Sequence, residues 1–89
     1  MAQGTVTLPG FVSRLEAKLS GDLTGAVVSH EQIRGQRCRF IVVWSGFDGM
    51  GHPERQRKVW DAAETELSKS ELLNVGMILT LGTEDQPQQ

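Results

Sequence analysis

Tyrosine is absent from this 89-residue chain, and cysteine occurs once, at Cys38. One thiol excludes an internal disulfide and cannot build a zinc site alone, which fits a reducing compartment. No apolar run is long enough for a membrane helix, and no basic-then-apolar leader opens the chain. Neither a membrane span nor a signal peptide is therefore expected, and the expected location is cytoplasmic. A net charge of −2 gives no global argument for nucleic acid.

What is present is enough for one folded domain. Hydrophobic residues make up 38% of the chain, which places it among folded rather than disordered sequences. A domain this small buries little more than ~60% of the surface its unfolded chain exposes, so one core is all it can build. Charge is unevenly distributed. Arg34, Arg37, Arg39, Arg55, Arg57 and Lys58 are opposed in their stretch only by Asp48 and Glu54, a local net of +4 that leaves −6 on the remainder.

Taken in order, residues 1–7 have no period and read as a loose leader. Pro9 suits a first helical turn. Phe11, Val12, Leu15 and Leu19 follow at helical spacing, with a glycine stop expected at Ser20-Gly21. A β-prone segment from Gly25 to Ile33 is joined through Arg34-Gly35-Gln36 to a second strand, Arg37 to Ser45. That strand begins by alternating, with Arg37 and Arg39 on one face and Cys38 and Phe40 on the other. It ends apolar on both faces, as a central strand does.

The turn Ser45 to Gly51 has three glycines, and Phe47 and Met50 are expected to fold back onto the core. Pro53 and Glu54 then open a helix, with His52 as a cap or a solvated residue. Gln56, Val59, Trp60, Ala63 and Leu67 share one face of that helix, and both tryptophans are assigned to the core. Ser68 or Ser70 caps a short further turn. Asn74 to Leu81 is a third strand with Val75, Met77, Leu79 and Leu81 on one face, and Gly82 onwards should fray. The reading is a single small α+β domain over residues 8–82, in the order α-β-β-α-β. Two helices cover one face of a three-stranded sheet, and residues 1–7 and 83–89 form flexible termini.

No complete catalytic set appears. A Cys–His nucleophile pair would need His30 and Cys38 adjacent across the hairpin, yet Cys38 shares its face with Phe40 and reads as a small buried hydrophobe. Asp48 is an ordinary turn residue. Gly46-Phe47-Asp48-Gly49 satisfies a bare GxxG, but it follows a strand and carries an acid where a nucleic-acid loop carries a base. The basic residues are the better candidate: Arg37, Arg39, Arg55, Arg57 and Lys58 would form an anion-binding surface if strand and helix faces converge.

Spacing adds a further observation. FIVVWSGFDGMGHPERQRKVW, preceded by the hairpin and followed by GMILTLGTED, resembles the BolA family. Phe40 to Ser45, Phe47, Gly49, Arg55, Arg57, Val59 and Trp60 stand where that family has its apolar strand, phenylalanine–x–glycine turn and arginine-rich helix start. The resemblance implies a class II KH-like fold and a non-enzymatic adaptor or regulator. Its partner would be nucleic acid or an acidic protein. As an alternative it implies an iron–sulfur cluster shared with a monothiol glutaredoxin, otherwise no cofactor. Two departures bear on the cluster. Gln56 replaces the histidine between the arginines, and NVGMILTL lacks the family's later histidine, leaving His30 and Cys38 as the remaining ligand candidates.

Overall fold

The computed structural model describes residues 10–83; the leader, Pro9 and residues 84–89 lie outside them. The elements are α1 (Gly10–Asp22), β1 (Val27–Arg34), β2 (Arg37–Val43), α2 (His52–Glu66), α3 (Lys69–Leu72) and β3 (Val75–Leu81). A 3-10 turn, Ser45–Phe47, links β2 to α2. The expected α-β-β-α-β order is present, with α3 as the short extra turn.

In α1 the residues Phe11, Val12, Leu15 and Leu19 recur on one face and are all buried. The helix does not stop at Ser20-Gly21 as its glycine suggested. It runs on to Asp22, and the buried Leu23 that follows donates its N–H to Leu19 O at 2.8 Å. The left-handed glycine is Gly25, with φ 89°.

β1 and β2 form an antiparallel hairpin whose turn holds Gly35 at φ 56°. β3 pairs parallel to β2, giving the strand order β1-β2-β3 and making β2 central. Alternation sends Cys38, Phe40 and Val42 into the core, where Leu15, Leu19, Val59 and Ala63 meet them. Arg37, Arg39, Ile41 and Val43 take the opposite side of the sheet, which neither long helix covers.

β3 departs from simple alternation. Its register with β2 shifts between Val75, opposite Cys38, and Met77, opposite Arg39. The irregularity at Gly76 puts Val75 on the core side together with Ile78 and Thr80. Met77, Leu79 and Leu81 share the uncovered side, so Val75 does not belong to their face as strict alternation suggested.

α2 buries Val59, Ala62 and Ala63, small residues that admit α1 against it. Trp44 and Trp60 lie half-buried at the rim instead of in the core. Of the two roles open to His52, cap or solvated residue, it takes the second: Gly51 is the N-cap and His52 the exposed first residue of the helix. Ser68 caps α3 reciprocally: Glu71 N–H donates to Ser68 Oγ at 3.2 Å, and Ser68 N–H to Glu71 Oε1 at 2.9 Å. Fraying does not begin at Gly82, which is buried, and the Thr83 hydroxyl donates to Asp48 Oδ2 at 2.5 Å.

Candidate functional site

The strand-turn-helix unit is built inward. After β2, Trp44 stays extended and meets Phe47 edge-on, ring centroids 5.1 Å apart. A Cβ at Gly46 would overlap the Trp44 ring, so the turn requires glycine there. Phe47 is fully buried and Met50 half-buried, as expected of residues folding back onto the core. Gly49, φ 88°, reverses the chain into α2. The GxxG stretch thus turns its phenylalanine inward, and its aspartate bonds Thr83.

Arg55 and Gln56 then fasten α2 to β3. Arg55 Nε donates to Met50 O at 3.0 Å and Nη1 to Thr80 O at 3.4 Å, while the guanidinium lies 5.8 Å from the Phe47 ring centroid. Gln56 Nε2 donates to Ile78 O at 2.8 Å and more weakly to Thr80 Oγ1 at 3.4 Å. Its Oε1 accepts from Trp60 Nε1 at 3.0 Å. β3 is an edge strand, and the Ile78 and Thr80 carbonyls are thereby supplied with donors that no neighbouring strand provides. Gln56, Trp60 and Thr80 were not recognisable as a set, because nothing local shows that β3 comes back beside α2.

The five basic candidates do not converge. Arg37 and Arg39 project from the uncovered sheet face, and Arg39 is ion-paired with Glu31 on β1. Arg55 is half-buried in the brace just described. Arg57 and Lys58 are exposed on α2, on the other side of the sheet, with Lys58 Nζ 6.0 Å from the Trp44 ring centroid. The reason is alternation: Cys38 and Phe40, on either side of Arg39, are the strand residues that face the helices.

His30 and Cys38 do share the helix-facing side, where His30 opposes Phe40 and Cys38 opposes Gln32. His30 Nδ1 is held by Glu16 Oε2 at 2.6 Å. Cys38 is fully buried, and burial, helped by the Glu16 charge, pushes its thiol above the ordinary 9.0. A buried, protonated thiol does not suit an iron–sulfur cluster, whose cysteine donors are thiolates, and His30, oriented through Nδ1 by Glu16, makes at most one ligand by itself. Among the described residues no group of three or more His, Cys, Asp or Glu is placed to hold a metal ion. Nor is any helix among them long and apolar enough to cross a membrane.

Hairpin, two long helices and a parallel third strand form the small α+β fold seen in solved BolA structures. Solved structures with this fold include BolA1 from Arabidopsis thaliana, with a TM-score of 0.70 and 20% identity, covering 90% of this chain and 100% of that one. A bol-like protein from Babesia bovis gives a TM-score of 0.53 at 20% identity, covering 93% and 92%. No family model and no curated protein matches the chain.

Proposed function

We propose that the chain is a divergent BolA-family adaptor or regulatory domain, acting in the cytoplasm by holding a partner protein and catalysing nothing itself. The supporting observation is the inward use of the strand-turn-helix unit. Asp48, Arg55, Gln56 and Trp60 all bond within the scaffold, so the stretch that resembles the family is a brace and not a reaction centre. The exposed cations of the basic stretch are divided between α2, with Arg57 and Lys58, and the hairpin, with Arg34 and Arg37. Separated clusters make few simultaneous phosphate contacts, which favours a protein partner over a nucleic-acid strand.

Fluorescence polarisation of labelled single- and double-stranded oligonucleotides, at about 50 and 200 mM salt, tests this. No saturable binding is expected at either concentration. Tight binding that falls steeply with salt, and weakens in an Arg57→Ala/Lys58→Ala variant, would replace the adaptor reading with a nucleic-acid one. For the glutaredoxin alternative the arrangement of His30 and Cys38 predicts a colourless mixture on cluster reconstitution. A coloured complex lost on His30→Ala would reinstate it.

A further inference from the structure

The sheet face turned away from α1 and α2 is apolar where water would be expected. Three rows cross it: Glu31, Arg39 and Met77; Ser29, Ile41 and Leu79; Val27, Val43 and Leu81. Val27, Met77 and Leu79 keep 66%, 47% and 40% of their surface exposed. Parallel strands are ordinarily covered on both faces, whereas β2 and β3 are covered on one. Contiguous exposed apolar surface marks a contact site.

Charge distinguishes the two ends of this face. At the hairpin end Arg34 and Arg37 are register partners, an opposition of like charges that is destabilising unless an anion joins them. Neither has an ion pair among the described residues. Ile33 and Arg37 lie over Gly76, where a Cβ would come within 3.3 Å of both. With Arg34 and Asn74 they line a groove of about 570 Å³. Glu31, the carboxylate within the rows, is already taken by Arg39. The far end, formed by Val27, Val43 and Leu81, carries no ionisable strand residue.

Size and charge select the occupant. A seven-residue strand is about 23 Å long, and three strands place their outer axes about 10 Å apart. A second copy packed face to face offers Arg34 and Arg37 no free carboxylate, because its Glu31 is already taken by Arg39. A fifteen-residue helix, about 22 Å long and ~10 Å wide, matches the face in both dimensions. We infer that the face docks an amphipathic helix of a partner protein. Its apolar stripe lies on Ile41, Val43, Met77 and Leu79, and its acidic end lies against Arg34 and Arg37. This inference rests on the adaptor reading and specifies its surface and partner class.

The test uses the full chain and two fluorescein-labelled fifteen-residue amphipathic helical peptides. They are identical except that one ends in three glutamates and the other in three lysines. Anisotropy should show the glutamate peptide binding about ten-fold more tightly, in the micromolar range expected of a small interface. Arg34→Glu/Arg37→Glu should reverse that preference, and Leu79→Asp, with its fold confirmed by circular dichroism, should abolish binding of both. Equal binding of the two peptides, binding that survives Leu79→Asp, or no binding at all would overturn the inference. So would sedimentation of the wild type as a dimer that Leu79→Asp separates, which would assign the face to a second copy. Failure here with silent oligonucleotides leaves an adaptor that works from another surface; oligonucleotide binding removes the adaptor reading itself.

Discussion

Replacing Gln56 tests the brace directly, because its amide joins an indole on its own helix to a carbonyl on the edge strand. Gln56→Ala removes the 2.8 Å bond to Ile78 O and the 3.0 Å bond from Trp60 Nε1. Each such bond contributes about 1 kcal/mol net. The site is half-buried and water can partly substitute, so the loss should be about 1–2 kcal/mol, or roughly 5–12 °C in Tm for a domain this small. Gln56→Glu is the sharper variant. Its carboxylate still accepts from Trp60 but sets a charge against the Ile78 carbonyl, and the loss at pH 7 should rise to about 2–3 kcal/mol.

The introduced carboxyl can donate to Ile78 O only when protonated, so its pKa is raised in the folded state. The deficit should therefore be smallest below the unfolded value of about 4.3 and grow as pH rises through the folded value. Urea denaturation followed by far-UV circular dichroism, with wild type measured at each pH, gives the difference. A Gln56→Glu protein as stable as wild type at pH 7, or a deficit independent of pH, would refute the role assigned to this amide.

Other expectations follow from the same packing. Gly46→Ala should cost about 1–3 kcal/mol, because the new methyl displaces Trp44 from Phe47; a loss of near-UV tryptophan dichroism is the accompanying signal. Native Cys38 should resist a thiol reagent such as dithiobis-nitrobenzoate at pH 8 and react on addition of denaturant, whereas immediate reaction would contradict its burial and raised pKa. Ser68→Ala should cost about 1 kcal/mol by removing the α3 cap. Glu71 is held below the ordinary 4.5, first by the Ser68 N–H and then by Arg14. Its contribution is present above 4.5 and lost as pH falls through the lowered value, so Glu71→Gln should flatten that part of the acid limb of a stability profile.

Much of the architecture was readable because period and burial agree. The Arg37-Cys38-Arg39-Phe40 alternation announced which side of β2 meets the helices, and Phe11, Val12, Leu15 and Leu19 announced the face of α1. Legibility failed where a single residue was weighed without its tertiary reward. Gly21 looked like a stop, yet the buried Leu23 carries the helix past it. Gly76 hid a register shift that sends Val75 and Met77 to opposite sides. In the candidate site, Arg55 counted as one more surface cation, because only the returning β3 shows that its guanidinium serves backbone carbonyls. The uncovered face did leave a trace: Ile41 and Val43 are apolar on the side where a one-sided sheet would carry polar residues.

The parallel pairing of β2 with β3 also orders events in time. The β1–β2 hairpin closes across a tight turn, so its pairing is local in sequence. β3 reaches β2 only after a loop of roughly forty residues has folded back. During synthesis the hairpin and both long helices can therefore exist while one hydrogen-bonding edge of β2 is vacant. A stray strand from another molecule can add to that edge in the interval. Soluble yield should then depend on how quickly Val75–Leu81 arrives, a kinetic sensitivity that equilibrium stability does not measure.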